Sequence, residues 1–343
     1  SVGDKLRIAQ KLDELGIHFI EGGWPGSNPK DTEFFHRAQK LTLKNSTLVA
    51  FGSTRRPKTR VEDDANLSAL LDAGVAAVAV VGKSSGAHVV QVLETDLDEN
   101  LKMISDSIRY LRSKGVRAIF DAEHFFDGFK ADPAYALHSL KIAGEAGAEC
   151  LVLCDTNGGT LPGDVVSAFE AARKVTGIPL GIHTHNDAGV AVANTLVAVE
   201  SGAVHVQGSI NGYGERCGNA NLCSIIPALK LKMGIDCITD AQLAKLTEVS
   251  RYISDISNLV PDPFSPYVGA SAFSHKGGLH VSAMAKWVHS YQHIDPVKVG
   301  NKPRVLVSEL SGRRNIIQKA KELGFHLLLK AEVAQKLLKH VKL

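Results

Sequence analysis

The chain has 343 residues, 44% of them hydrophobic and 22% charged, and carries a net charge of +3 at neutral pH. That balance belongs to a globular protein with one large domain and an appendage. The basic residues are spread out, which argues against nucleic-acid binding, and no apolar run approaches the ~18 residues of a membrane span. Five cysteines, Cys150, Cys154, Cys217, Cys223 and Cys237, form no Cys-x-x-Cys pair. They favour free thiols in a reducing compartment, hence a cytoplasmic location. A first residue that is Ser rather than Met points to a fragment and leaves an organelle open.

In chain order, Leu6, Ile8, Ala9, Leu12 and Leu15 fall at helical spacing and Gly16 ends the run, predicting a helix over 2–15. A short strand over 18–23 follows, then a helix over 30–41. The alternation continues with strand 46–52, helix 65–73, strand 75–81 and a long helix 88–113. Strand 116–123, helix 135–146, strand 149–155, helix 162–175 and strand 178–185 come next. Helix 190–200, strand 203–210 and helix 219–233 close the run.

Glycines at 16, 74, 115, 147, 177 and 202 stand between a helix and the next strand, a repeated C-cap and short loop. Units of roughly 30 residues predict a parallel sheet. Seven strands are counted where a (β/α)8 barrel needs eight, and the run opens on a helix. The expected fold is therefore an α/β TIM barrel over 1–236 whose first strand lies upstream of Ser1. A doubly wound open sheet is the rival, but no Gly-x-Gly-x-x-Gly opens a helix after an early strand. From 237 to 343 the pattern changes to an amphipathic helix over 240–257, a Pro-rich stretch over 259–266, a Ser/Gly/His/Lys-rich segment over 271–291, and helices over 313–323 and 331–340. This is a small helical appendage.

Polar residues gather at the C-terminal strand ends, where such barrels build their sites. Glu21 ends the first strand, either as a structural carboxylate near a metal site or as a substrate contact. Asp121 and Glu123 share a face of theirs, one to ligate or orient and the other to serve as acid or base, while His124 faces the opposite way and reads as structural. Asp155-Thr156-Asn157 offers hydroxyl and backbone donors to a carboxylate substrate, or forms a plain Asx turn. His183 and His185 lie on one face of a strand end, a divalent-metal half-site that needs a further ligand. In Asn211-Gly212-Tyr213-Gly214-Glu215-Arg216-Cys217-Gly218-Asn219, glycines permit close backbone approach, and Asn219 is either a helix cap or a third ligand. Cys217 has no partnered base and reads as an inert thiol. The basic stretch Thr54-Arg55-Arg56-Pro57-Lys58-Thr59-Arg60 is either an anion-binding spot for a phosphate or CoA, or a solvated loop. Together these groups suit a divalent cation that chelates a 2-oxo acid and polarises its carbonyl, with a base to make a carbanion of a second substrate.

The motif His183-Thr184-His185-Asn186-Asp187, with Gly214-Glu215-Arg216-Cys217-Gly218-Asn219 downstream, resembles the metal-dependent barrel family of 2-isopropylmalate, homocitrate and citramalate synthases and HMG-CoA lyase. Glu21-Gly22-Gly23-Trp24-Pro25-Gly26-Ser27-Asn28-Pro29-Lys30-Asp31, Ala50-Phe51-Gly52-Ser53-Thr54-Arg55-Arg56 and Ser308-Glu309-Leu310-Ser311-Gly312-Arg313 are most similar to the citramalate-forming branch. The resemblance implies condensation of acetyl-CoA with pyruvate and water to (R)-citramalate and CoA, on a route to isoleucine. It implies His183, His185 and Asn219 at a divalent metal (Mg2+, Mn2+ or Zn2+), Glu123 as a catalytic carboxylate, and Thr156 in contact with the 2-oxo acid. Within Ser274-His275-Lys276-Gly277-Gly278-Leu279-His280 it implies that His280, with Tyr291, serves the neighbouring subunit's site in a homodimer. The family's first strand, with its metal-binding Asp and catalytic Arg, has no counterpart here, nor has its C-terminal regulatory domain, which puts the activity of this chain in question. The alternatives are 2-isopropylmalate synthase or another 2-oxo-acid synthase, a C–C lyase of the HMG-CoA lyase type, and an inactive remnant.

Overall fold

A computed structural model describes residues 1–275, 277–284, 286–307, 311–325 and 331–341. Within the motifs singled out above, Lys276 and Ser308, Glu309 and Leu310 lie outside the described residues. The chain divides into two compact units, 1–225 and 226–343.

The first unit alternates helices and strands: α1 (Val2–Leu15), β1 (Phe19–Glu21), α2 (Pro29–Ala38), β2 (Thr47–Ser53), α3 (Ala65–Asp72), β3 (Ala77–Lys83), α4 (Gly86–Gln91) and α5 (Leu97–Ser113). It continues with β4 (Arg117–Glu123), α6 (Phe125–Ala131), α7 (Pro133–Glu145), β5 (Cys150–Asp155), α8 (Pro162–Val175), β6 (Leu180–Thr184), α9 (Ala191–Glu200) and β7 (Ala203–Gln207). The strands form one parallel seven-stranded sheet in sequence order, so every strand is joined to its neighbour through a helix. The sheet curls far enough for its first and last strands to touch inside: the rings of Phe19 and His205 meet edge to face at 5.6 Å, and the Arg117 guanidinium lies 5.4 Å from the Phe19 ring.

Strand alternation sorts the side chains. Ile20, Ala50, Val80, Phe120, Leu153 and Ile182 point outward into the main core beneath the helices. Val49, Ala77 and Ala79 on one side of the interior, and Ile119, Cys150, Val152 and Cys154 on the other, fill the space within the curl. Gly16, Gly74, Gly115, Gly147 and Gly202 do end helices with positive φ, whereas Gly177 does not, because α8 leaves through an extended Thr176. The expected helix over 88–113 is two helices. Glu94 turns left-handed at φ 52° and Asp96 caps α5 by accepting the Glu99 N–H at 2.7 Å.

α10 (Leu222–Leu231) carries the boundary between the units. In the second unit the expected helix over 240–257 is also two, α11 (Asp240–Leu243) and α12 (Leu246–Ser257), the first opened by a Thr239/Gln242 capping box. Two short parallel strands, β8 (Ser274–His275) and β9 (Arg304–Val305), were not foreseen. They flank α13 (Gly278–Met284), and α14 (Arg313–Glu322) packs on α15 (Ala331–Val341) through Ile316, Ala334 and Leu338.

Candidate active site

The C-terminal ends of β1, β4 and β6 bring Glu21, Asp121, Glu123 and His183 to the inside of the curl, and β7 adds Gln207. Asp121, only 4% exposed, accepts a hydrogen bond from the Gln207 amide nitrogen at 2.9 Å. The amide oxygen of Gln207 lies 3.0 Å from His183 Nδ1. Burial, reinforced by the nearby charge of Glu21, pushes the Asp121 carboxyl up to about 8. Glu21, at the end of β1, is exposed as a residue, yet its carboxyl is crowded by the barrel wall and desolvation raises it to about 7. Glu123, two residues beyond Asp121 on the same face, forms an ion pair with Lys83 at the end of β3.

His183 and His185 face one another with ring centroids 5.1 Å apart. Burial first, and then the neighbouring His185, lower His183 to about 4, so its imidazole is neutral at physiological pH. Burial followed by the Arg216 charge lowers His185 as well. Beyond β6 the chain pairs with the glycine-rich loop, placing His185 opposite Asn219 in an antiparallel bridge. Glycine is needed in that loop, since a Cβ on Gly214 would stand 2.1 Å from the Asn219 amide nitrogen. That nitrogen donates to the Tyr213 carbonyl at 3.2 Å. Two buried polar atoms here lack any hydrogen-bond partner among the described residues, His185 Nδ1 and Asn219 Oδ1. Such orphaned acceptors cost about 1–3 kcal/mol each unless something fills the site. Two neutral imidazoles beside an amide oxygen form a donor set suited to a borderline divalent cation, so these three residues fit a metal ion. Among the described residues no cluster of three His, Cys, Asp or Glu side chains forms a metal site, so Asn219 is needed to reach three protein donors.

Thr156 accepts the His124 backbone N–H at 2.8 Å, leaving its own hydroxyl hydrogen to donate elsewhere. His124 sits in a left-handed conformation at φ 56°, stacked on His88 at 3.7 Å and 3.3 Å from Asp127, the structural place expected of it. The loops after β5, β6 and β7 are tied by Arg216, which grips Asp187 at 2.8 and 3.0 Å and donates to the Thr156 carbonyl at 2.8 Å. In the second unit, the rings of His280 and Tyr291 stack at 4.1 Å. The basic stretch is not an anion site at Arg55: this side chain, 6% exposed, is neutralised by Glu99 at 2.7 Å and Asp106 at 2.9 Å. Cys217 is exposed, and all five cysteines are free. Sequence reasoning missed Lys83, Gln207 and Arg216. Lys83 ends the otherwise apolar β3, and Gln207 follows His205 at the inward period of β7.

A curled parallel sheet with a His-x-His and an amide at its C-terminal mouth has the architecture of a (β/α) barrel. The chain belongs to the HMGL-like family, whose model matches residues 1–253; residues 267–343 match the homocitrate synthase post-HMGL domain-like model. It is 53% identical to an (R)-citramalate synthase of Geobacter sulfurreducens over 99% of its own length, and 56% identical to one of Synechocystis sp. over 95%. Those alignments cover 65% and 61% of the two relatives, so the chain spans less than two thirds of the proteins it matches. The crystal structure of the Bacillus subtilis HMG-CoA lyase superposes with a TM-score of 0.63 over 76% of this chain and 89% of that one, at 21% identity. This likeness shows the shared barrel fold.

Proposed function

We propose that this chain is the catalytic part of an enzyme that condenses acetyl-CoA with pyruvate and water to give (R)-citramalate and CoA, feeding isoleucine synthesis. The observation that carries the reading is identity above half with (R)-citramalate synthases across nearly the whole chain. The polar groups gathered at the barrel mouth support this reading.

His183, His185 and Asn219 would hold the divalent cation, Mg2+, Mn2+ or Zn2+, which would supply Lewis-acid polarisation of the keto group of a 2-oxo acid. The Thr156 hydroxyl, which accepts from His124 N–H and donates no hydrogen bond among the described residues, would donate to the substrate carboxylate. Glu21, whose carboxyl desolvation raises to about 7, stands beside the site at the end of β1. A base takes a proton from the acetyl methyl group; the carbanion forms the new C–C bond to pyruvate C2, and the keto oxygen takes up a proton. Water then cleaves the thioester, releasing CoA. Glu123, oriented by Lys83, is the barrel carboxylate for these proton transfers. His280 and Tyr291 join it from the 237–343 region of a neighbouring subunit, making the enzyme a homodimer with shared sites. Free thiols suit a cytoplasmic setting.

The test is release of CoA thiol by the full-length enzyme from acetyl-CoA with pyruvate, 2-oxoisovalerate or 2-oxoglutarate, with and without Mn2+. Pyruvate is expected to be the preferred acceptor. Preference for 2-oxoisovalerate would sink the citramalate reading in favour of 2-isopropylmalate synthesis, and inactivity with every acceptor would favour a remnant. Mixing His280→Ala with His183→Ala subunits is expected to restore part of the activity; no recovery argues against shared sites.

A further inference from the structure

Asp121, Gln207 and His183 form a hydrogen-bonded series across the inside of the barrel, with links of 2.9 and 3.0 Å. A primary amide is asymmetric, with a nitrogen that only donates and an oxygen that only accepts. Its nitrogen is turned toward the buried carboxyl of Asp121, so its oxygen faces His183 Nδ1. An acceptor at that distance requires Nδ1 to carry the hydrogen. A neutral imidazole has only one N–H, and Nε2 is then left with a lone pair. Nε2 makes no hydrogen bond with the described residues, so this lone pair is uncommitted. We infer that Gln207 is a positioning residue that holds His183 as its Nδ1–H tautomer and so reserves Nε2 for the divalent cation. The inference rests on the proposed metal-binding role of His183.

The observed amide orientation suits either form of Asp121. As drawn, it serves Asp121 whether ionised or protonated, because either form has an oxygen to accept the amide N–H. The reverse orientation works only when Asp121 is protonated. It would donate to His183 Nδ1, force the hydrogen onto Nε2 and close the ligating nitrogen. Ligating histidines are commonly oriented by a carboxylate or carbonyl on their second nitrogen, which also raises their basicity. Here a side-chain amide backed by a buried acid takes that place.

The test reads the tautomer before any metal is added. The chain, labelled with 15N-histidine and stripped of metal, is studied by long-range 1H–15N correlation at pH 7.5, with His183→Gln used to assign the resonances. The expected result is an Nδ1–H, Nε2-unprotonated His183 in the native chain. Gln207→Leu should shift it toward the Nε2–H form, and Gln207→Glu, which keeps an acceptor, should retain it. Titration with Mn2+ by calorimetry should then show affinity weakened about 10–100-fold by Gln207→Leu, and within threefold of native for Gln207→Glu. An Nε2–H His183 in the native chain overturns the inference, as does a Gln207→Leu variant that keeps both the tautomer and the affinity. Failure of the native chain to bind Mn2+ overturns the ligand assignment itself. The two failures are distinguishable because the tautomer is measured without metal.

Discussion

Replacing Asp121 with asparagine tests how much the protein gives up to keep an acid inside the barrel. The carboxyl titrates at about 8 when folded, against 3.8 for the unperturbed group. A raised acid binds more protons in the native than in the unfolded state, so stability must fall as pH rises between those two values. The slope is about 1.4 kcal/mol per pH unit, which accumulates to about 4 kcal/mol between pH 5 and 8. Asparagine keeps an oxygen to accept the Gln207 N–H and does not ionise. Any packing difference between Asp121→Asn and native adds a constant offset, whereas the titration adds a slope. The assay is urea unfolding at pH 5, 6, 7 and 8, followed by far-UV circular dichroism. The native chain should lose stability relative to the variant steadily across that window. Profiles that stay parallel to within about 0.5 kcal/mol would show that Asp121 is not a raised, buried acid.

Three further outcomes follow from the same geometry. Asp13 accepts the backbone N–H groups of Lys44, Asn45 and Ser46 at 2.7–3.0 Å; Asp13→Ala leaves them unpaired and should cost about 2–4 kcal/mol in urea unfolding. Burial alone would raise the Asp13 carboxyl, but these donors outweigh it and hold it below its ordinary value, so its contribution is present at neutral pH and lost as pH falls through the folded value. Arg216→Ala releases the tie among three loops, so amide exchange at 156–159 and 186–189 should speed up several-fold while the strands keep their protection; unchanged loop exchange would refute the clamp. In the full-length enzyme, Glu123→Gln should lower kcat about 10²–10⁴-fold with the urea midpoint preserved, and a loss under threefold would remove Glu123 from the proton transfers.

Much of the barrel was legible because its signals are local. A strand buried on both faces between amphipathic helices reads as an apolar run, and a glycine with positive φ marks the end of a helix wherever it stands. Each of the seven predicted strands is present to within a few residues. Helices broke where a local cap outbid the longer pattern, at Asp96 and at the Thr239/Gln242 box. The short pairing of β8 with β9 left no trace in a two-residue pattern.

His183 and His185 stood out because their alternation places them on one face before any fold is known. Their environment depends on residues far away in the chain. Gln207 lies 24 residues beyond His183 and 86 beyond Asp121, and only the parallel register and the curl of the sheet bring the three within hydrogen-bonding distance. The same curl buries Asp121, raising a carboxyl that the sequence shows only as an ordinary acid. Packing against α5 turns Arg55 from a member of a basic cluster into a buried, neutralised strut. Residue type and period, which act over a few neighbours, determined the elements and the two histidines. Burial and charge, which depend on everything within several ångströms in space, were decided by the tertiary structure alone.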